Sequence, residues 1–302
     1  MNDAEHCAEV KEFLSSRRAR VTPDRAGLPA YGGTNRRVPG LRREEVALLA
    51  GVSIDYYVRM ERGNLAGASD SVLDGVASAL QLDEAEREHL FALARAAGPG
   101  ARRRARTTPT SVRPAIQQML DAFTGAPAWV RNARHDIIAT NELARALYSP
   151  VLRSAVAGPT STRKANTTRF MYLDPAAQDF FIEYERMAQD AAAMLRLEAG
   201  HNPYDTELHS LVGELSTKSE LFRQNWAAHN VKFHRSGRKR LRHPAVGELD
   251  LNFEGMDMPA EPGLRLNVYT ADPGSPTDDG LKLLAAWAAS QSIGATELSQ
   301  DR

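Results

Sequence analysis

Apolar residues recur with a helical period in the segment from Leu41 to Gly63, LRREEVALLAGVSIDYYVRMERG. Small apolar residues share one face of a first short helix: Val46, Ala47 and Ala50. Gly51 follows where the chain must turn sharply, a conformation that glycine adopts without steric penalty. Ser53 is a typical cap for a second helix, in which Tyr57 and Met60 face the same core. The pattern predicts two short helices joined by a tight turn.

The outer face of the second helix carries residues that nothing else in this pattern would cover: Ile54, Asp55, Tyr56 and Arg59. Such a helix-turn-helix places its second helix in the major groove of DNA, where exposed side chains meet base edges. Arg59 is the strongest candidate, because an arginine can bond guanine through two hydrogen bonds for about 1–3 kcal/mol of discrimination. A structural helix pair with a solvated outer face is the alternative interpretation.

Charge is distributed unevenly along the chain, although the formal net charge is zero. From Arg17 to Arg43 there are eight arginines and one acid, Asp24, and such a cluster attracts phosphate. The candidate phosphate contacts are Arg17, Arg18, Arg42, Arg43 and Ser53. The loop 23–40 contains prolines, glycines and the pair Arg36-Arg37, which favours a basic arm that follows the DNA backbone, or else a plain solvated loop.

The remaining periodicity divides the chain into domains. Five helices are predicted in an N-terminal DNA-binding domain, residues 1–98: 4–18, the two helices above, 70–80 and 83–97. Cys7 has helical spacing with Val10 and Leu14, so we expect it to be buried. Residues 99–111 are rich in arginine, proline and threonine and predict a flexible basic linker.

Beyond the linker, short strand-like segments alternate with helices, which predicts an α+β domain over 112–295, followed by a tail, 296–302. The predicted helices are 114–123, a long one from Asp174 to Gly200, 208–215, 221–228 and 281–288. Strands are predicted at 127–130, 134–139, 231–234, 239–243, 248–253 and 264–270. Asn141 is expected to cap a helix.

Two stretches of the chain resemble known families. The run VALLAGVSIDYYVRMERG resembles the lambda-repressor-like, XRE class of bacterial transcription regulators, and FLSSRRARVTPDRAGLPAYGGTNRRVPGLRREEV resembles the version of that domain found in MmyB-like regulators. The segments 127–147, 173–175, 237–247 and 269–275 resemble the ligand-binding domain of the same regulators. The resemblance implies an all-α lambda-repressor-like helix-turn-helix domain, a PAS-like ligand-binding domain and a small apolar ligand such as a fatty acid.

A sensor of an amphipathic acid needs an apolar slot with a cationic or hydrogen-bonding end. The candidate apolar wall comprises Trp129, Phe170, Phe180, Tyr184, Met187 and Trp226. The candidate carboxylate partners are His229, Arg240 and His243. For each wall residue taken singly, ordinary core packing is the more common role.

Several function classes lack support in the sequence. No phosphate-cradling glycine loop and no G-x-S-x-G motif occurs, so we expect no enzyme. No histidines show a tight ligand spacing on one helix, so we expect no metal and no cofactor besides the ligand. No apolar run approaches the length of about 20 residues that a membrane helix requires, and we expect a cytoplasmic protein.

These observations predict a ligand-responsive regulator that binds double-stranded DNA and a small-molecule effector, and that acts as a homodimer on an inverted repeat. The alternative keeps the DNA-binding domain but makes the C-terminal domain a dimerisation or protein-docking module only.

Overall fold

A computed structural model of the chain describes residues 3–28, 38–98 and 109–300, with side chains described to residue 290. The chain divides into two compact units. The first comprises Met1–Arg106, Ala192–Ser210 and Gln224–Phe233. The second comprises Thr107–Ala191, Leu211–Arg223 and His234–Arg302. Residues 29–37 of the predicted basic arm, which include Arg36-Arg37, and residues 99–108 of the predicted linker lie outside the described residues.

The N-terminal part of the first unit contains the five predicted helices: α1 Asp3–Arg20, α2 Arg43–Ala50, α3 Ile54–Glu61, α4 Asp70–Ala79 and α5 Glu84–Ala96. Side-chain caps begin three of them, because Ser53, Ser69 and Asp83 each accept a hydrogen bond from a first-turn N–H. The helices enclose one apolar core: Val10, Phe13, Leu14, Val46, Tyr57, Met60, Leu73, Val76, Leu90 and Leu93 among others. Cys7, in contrast to the prediction, is exposed, since the core begins one helical turn later at Val10.

Two segments distant in sequence complete the first unit. Leu197 and Val231 are buried in the same apolar core as α1 to α5, and Phe233 packs against it. Both segments lie within the predicted C-terminal domain, 112–295. Periodicity marks Leu197 and Val231 as core residues but does not indicate which core receives them, and the boundary at residue 98 therefore omits part of this unit.

The second unit is built on one antiparallel sheet. Its strands are β1 Ala128–Asn132, β2 Ile137–Thr140, β3 Ser236–His243, β4 Gly247–Asp257 and β5 Leu264–Thr270. They lie in the order β2-β1-β5-β4-β3. The strand that was predicted over 231–234 does not form in the structure.

The helices that follow the N-terminal five are α6 Pro114–Asp121, α7 Glu142–Leu147, α8 Ser149–Leu152, α9 Thr167–Leu173, α10 Ala176–Phe180, α11 Tyr184–His201, α12 Thr206–Lys218, α13 Glu220–Ala227 and α14 Pro276–Gln300. Of these, α6, α7, α10 and α14 contact the sheet, whereas α11, α12 and α13 each contribute residues to both units. Asn141 caps α7 as predicted, accepting from the N–H of Ala144 at 2.8 Å. The long helix predicted from Asp174 is interrupted, because Phe181 leaves the helix to form a bridge with Leu241 of β3. The long helix therefore begins only at Tyr184.

The two faces of the sheet differ in character. One face carries alternate apolar residues of β1 and β5, namely Ala128, Val130, Leu264, Leu266 and Val268, which pack with Leu120 of α6. The other face, which we call the inner face, carries Trp129 and Arg131 of β1, Arg265, Asn267 and Tyr269 of β5, Phe253 of β4 and Lys239 of β3. The inner face also carries Leu241 of β3 and Leu249 and Leu251 of β4, so the register brings polar, aromatic and aliphatic side chains together on it. The architecture is α+β, as predicted.

Candidate DNA interface and candidate ligand face

One side of helix α3 is exposed to solvent, and the other side packs in the core. Gly51 ends α2 in the left-handed region with φ 68°, and Ser53 accepts from the N–H of Tyr56 at 3.2 Å to begin α3. Tyr57 and Met60 are buried against α1 and α2, whereas the opposite side of the helix has no apolar cover among the described residues. The 3.6-residue period therefore turns Ile54, Asp55 and Arg59 toward solvent.

Three of the four predicted base-reading residues share this outward side, whereas Tyr56 packs in part against the apolar core. Ile54 is 53% exposed, Asp55 and Arg59 are exposed, and Tyr56 is half-buried. The guanidinium carbon of Arg59 lies 4.7 Å from the centre of the Tyr56 ring, one helical turn away. This cation–π contact holds the guanidinium against the helix surface, so less side-chain entropy is lost when Arg59 binds a base edge.

Two of the predicted phosphate contacts remain at the surface of α2. Arg43 begins the helix, and its side chain is 50% exposed while it donates to Glu61 at 3.0 Å. Arg42 precedes it, 42% exposed, with Glu44 at 3.4 Å. The Ser53 hydroxyl is exposed and uses an acceptor lone pair for the cap, which leaves its proton for a phosphate oxygen.

Arg17 and Arg18 occupy positions that do not suit phosphate binding. Arg17 is 2% exposed, pairs with Glu86 at 2.9 Å and donates to the backbone oxygen of His229. Arg18 donates twice to Glu61, at 2.9 and 2.8 Å, and once to the oxygen of Leu41. We therefore withdraw Arg17 from the predicted phosphate contacts and regard Arg18 as structural, because their donors are used within the core.

Glu61 is the residue that positions these arginines. It ends α3, is 2% exposed, and accepts from Arg18 of α1 and Arg43 of α2. Burial by itself would raise the pKa of Glu61, but hydrogen bonds from Arg18 and the charges of both arginines outweigh burial and lower the pKa. The carboxylate is thus held ionised at the junction of three helices, where it orients Arg43 toward solvent.

Part of the predicted apolar wall assembles beside the inner face of the sheet. The Trp129 ring lies 4.9 Å from Tyr148, Tyr148 lies 6.4 Å from Phe180, and Phe180 lies 5.8 Å from Phe170, measured between ring centres. Tyr184 and Met187 of α11 are half-buried, and the Tyr184 hydroxyl donates at 3.0 Å to the oxygen of Met171, the residue after Phe170. The row is the most aromatic part of the second unit.

The structure does not bring the other predicted ligand residues to this row. Trp226 and His229 belong to the first unit, where the Trp226 ring stacks on Arg196 and His229 contacts Glu12. Arg240 lies on the exposed side of β3, 3.8 Å from Glu248. These three residues therefore leave the candidate ligand set, because two pack elsewhere and alternation along β3 turns the third outward.

His243 is buried on the inner side of β3, but neighbouring groups of the protein occupy its ring. Its Nδ1 accepts from the N–H of Ala245 at 3.2 Å, and its Nε2 lies 3.1 Å from the oxygen of Ala146. Burial lowers the pKa of His243, which favours the neutral ring. A neutral histidine with both nitrogens engaged serves to join β3 to α7 and is a poor partner for a carboxylate.

Two models of known protein families match the chain, one in its N-terminal part and one in its C-terminal part. The model of the MmyB-like transcription regulator ligand binding domain matches residues 112–284, more than half of the chain, and a helix-turn-helix domain model matches residues 12–90. The chain belongs to the MmyB-like transcription regulators. No curated protein matches the chain. The matched domains are those of a ligand-responsive, DNA-binding transcription regulator.

Sequence reasoning missed the polar residues of the inner face in this MmyB-like regulator. Lys239 is 9% exposed, and its ammonium nitrogen lies 3.2 Å from the hydroxyl of Tyr269, which in turn lies 2.6 Å from that of Tyr148. The available signal was Leu241, which is apolar and two residues after Lys239. In a strand this spacing places both side chains on the buried side, but the surrounding arginines obscured the alternation.

A cavity in the second unit has no residue of the aromatic row in its lining. Its volume is about 300 Å³, and it is lined by Asp121, Phe123, Thr124, Asn141, Glu142, Leu143, Ala285 and Ala288. Two carboxylates in the lining oppose binding of an anion, so we do not assign the predicted ligand to this cavity.

Among the residues that the structure describes, no group of histidine, cysteine, aspartate or glutamate side chains has an arrangement that could hold a metal ion. Within the same residues, no helix is both long enough and apolar enough to cross a membrane.

Proposed function

We propose that this MmyB-like regulator binds a specific operator through α3 and alters that binding when its C-terminal domain takes up a small apolar acid, for which a fatty acid is the ligand class we favour. The observation that carries the DNA part is the outward side of α3, where Arg59 is held against Tyr56 above a buried helix face. We assign base readout to Ile54, Asp55, Tyr56 and Arg59. Backbone contact is assigned to Arg42, Arg43 and Ser53.

The regulator acts in this proposal as a homodimer of the XRE class. Two copies of α3 related by twofold symmetry would reach half-sites about one helical turn of DNA apart. Helix α11 gives a route for regulation, because its residues before Ala192 group with the second unit and its residues from Ala192 onward group with the first. A change in the aromatic row can therefore reach the DNA-binding unit along one continuous helix.

The DNA assignment is tested with two single variants. Preferred operators are first selected from random DNA sequences. Arg59→Ala should then lose discrimination at one base pair per half-site, which means that the ratio of affinities for matched and mismatched operators falls about tenfold or more. Arg43→Ala should weaken all sequences to a similar extent and reduce the salt dependence of binding. Fluorescence anisotropy on matched and mismatched duplexes measures both effects. Uniform loss on every sequence for both variants would refute the role given to Arg59.

A C-terminal domain that serves only for dimerisation or docking is the second candidate. The partly exposed Tyr184 and Met187 of α11 would suit a protein contact as well as a ligand. Thermal unfolding with and without candidate fatty acids separates the two, because a ligand that binds only the native state raises the midpoint. Operator binding that is unaffected by any stabilising acid would favour the docking module.

A further inference from the structure

Two segments from within the matched ligand-binding domain pack on helices α1 and α5 of the first unit: residues 192–201 of α11, and residues 226–233 at the end of α13 and after it. We call the contacts between these segments and the two helices the seam. Besides the apolar contacts of Leu197 and Val231, titratable and charged side chains form it: Glu9, Glu12, His89, Arg196, His201 and His229. The packing of the DNA-binding helices therefore depends on the protonation of groups outside the DNA interface.

His89 of α5 is placed in the seam as a neutral ring. Its side chain is fully buried, and neither ring nitrogen has a hydrogen-bond partner among the described residues. The Phe13 ring packs edge-on against it, 4.9 Å away between ring centres, and the backbone of Gly200 lies so close that a Cβ there would be 2.5 Å from Nδ1. Protonation would add a second N–H donor and a charge to this site, where no described group accepts even one hydrogen bond.

The carboxylate that faces this ring is already neutralised by an arginine. Glu9 of α1 lies 3.5 Å from Nε2 of His89, but both of its oxygens accept from Arg196. The guanidinium carbon of Arg196 is held 4.0 Å from the centre of the Trp226 ring. Burial lowers the pKa of His89, the charges of Arg196 and His201 lower it further, and the contact with Glu9 offsets only part of this shift. A proton on His89 would make two cations share one partly buried carboxylate.

The other two histidines of the seam have acids of their own. His201 Nε2 lies 3.0 Å from the carboxylate of Glu88 on α5, and His229 Nε2 lies 2.5 Å from that of Glu12 on α1. Glu9 lies 3.7 Å from Nδ1 of His229 as well. Glu12 and Glu88 are exposed to solvent over about half of their side chains, so ion pairs with them contribute little. Protonation of these two rings therefore holds the seam together only weakly, and the buried third ring opposes it.

Helix α1 connects the seam to α3. Arg17 donates to the backbone oxygen of His229, and the next residue, Arg18, donates twice to Glu61 at the end of α3. Glu61 in turn pairs with Arg43, a candidate phosphate contact, at 3.0 Å. A displacement of α1 at the seam therefore reaches side chains at the DNA interface through adjacent residues of one helix.

We propose that His89 makes the seam a proton-sensitive latch: protonation of its ring opens the seam, and an open seam loosens α1 and weakens operator binding. By reciprocity, operator binding holds the seam closed. Because the pKa of His89 in the closed seam lies below its ordinary value, the closed state is favoured above that ordinary value and loses this advantage as the pH falls below it. The DNA half of this inference rests on the proposed operator binding, whereas the opening by protons does not.

Hydrogen exchange of the full-length protein, corrected for intrinsic exchange rates, measures the opening constant of residues 192–201 and 226–233. An open seam takes up a proton near the ordinary pKa of histidine, about 6.5, so at pH 5.5 this proton raises the opening constant by at most about tenfold. Between pH 7.5 and 5.5 the wild-type constant should rise at least about threefold more than that of His89→Leu. His209→Leu is the matched control, because His209 belongs to the same unit but lies on α12, where its Nδ1 is 2.7 Å from the oxygen of Asp205; it should keep the wild-type response.

The same measurement with DNA tests the coupling to α3. At pH 6, a saturating operator selected from random sequences should lower the opening constant of both segments at least about fivefold, the low end of typical coupling between sites. A duplex of the same length without the operator sequence, at the same concentration, should leave the constant unchanged.

The outcomes separate the latch from the proposed function. Equal pH responses in wild type and His89→Leu overturn the latch. An opening constant that bound operator does not change overturns the coupling to DNA. If the wild type selects no operator, the proposed function fails, and the proton measurement, which needs no DNA, still decides whether the latch exists.

Urea unfolding at pH 7.5 guards against a folding artefact. His89→Leu should leave the midpoint unchanged or raise it, because an apolar side chain of similar size replaces a buried ring that has no hydrogen-bond partner among the described residues. A midpoint lowered by more than about 1 M would mean that the ring has a structural role, and would overturn the proposal.

Discussion

The buried carboxylate of Glu61 should contribute more to the stability of the DNA-binding unit than any exposed ion pair. Glu61→Gln keeps the size of the side chain and removes its charge. Arg18, which is 16% exposed at its side chain, would then remain in the core without a carboxylate. Removing one partner of a buried pair costs about 3–5 kcal/mol, and the amide oxygen of glutamine can still accept one hydrogen bond, so about 2–3 kcal/mol is expected.

The contribution of Arg43 to this loss is small. Half of its side chain is exposed, and exposed pairs are worth less than about 1 kcal/mol. Arg43→Met is therefore the matched control, expected to cost under about 1 kcal/mol. In the double variant Glu61→Gln with Arg18→Met, most of the loss should be recovered, because the uncompensated charge has been replaced by an apolar group.

Urea unfolding of the full-length protein, followed by circular dichroism, measures the effect. With a slope of about 2 kcal/mol per molar, Glu61→Gln should lower the midpoint by about 1–1.5 M. Hydrogen exchange should locate the loss in α1, α2 and α3. A loss below about 1 kcal/mol, or one equal to that of Arg43→Met, would refute the reasoning.

The pH dependence provides an independent check on the same residue. The folded-state pKa of Glu61 lies below its ordinary value, so its contribution is present above the unfolded-state pKa and is lost as pH falls through the folded-state pKa. Wild type should therefore lose stability below about pH 5 more steeply than Glu61→Gln. Parallel acid profiles for the two proteins would contradict the ionised state assigned to Glu61.

Two further predictions concern other contacts of the first unit. Arg196→Met should cost about 3 kcal/mol and weaken operator binding, since it leaves the partly buried carboxylate of Glu9 without its arginine; urea unfolding tests this, and an unchanged midpoint would contradict it. Gly63→Ala should cost more than about 2 kcal/mol, because Gly63 has φ 107° and a Cβ there would lie 2.6 Å from the Cα of Cys7. Gly67→Ala, also at positive φ but in open space, is the control and should cost clearly less.

Local patterns in the sequence were sufficient to predict most of the helices and strands. The five N-terminal helices lie where periodicity and caps predict them, and the strands at 239–243, 248–253 and 264–270 fall inside β3, β4 and β5. Helix caps and alternating strands are determined by residues a few positions apart, and a sequence displays such relations directly. The family resemblance added the order of the two domains, which the family models support.

Longer-range relations were not accessible from the sequence. The charge of Arg17 predicts a surface residue, yet Glu86 and the oxygen of His229 keep it in the core. Phe181 ends a predicted helix early because β3 lies beside it and forms a bridge with it. In both cases the deciding partner is far away along the chain.

The sequence by itself determined that this protein carries a helix-turn-helix with Arg59 outward and an α+β domain with an aromatic-rich core. Only the tertiary structure decided which basic residues are buried and which are free to meet a ligand. Lys239 and Arg240 are neighbours with the same charge, and the register of β3 against β4 turns one toward the inner face and the other toward solvent. That register depends on packing across the whole sheet, because a slip of one residue would exchange the two sides of the strand.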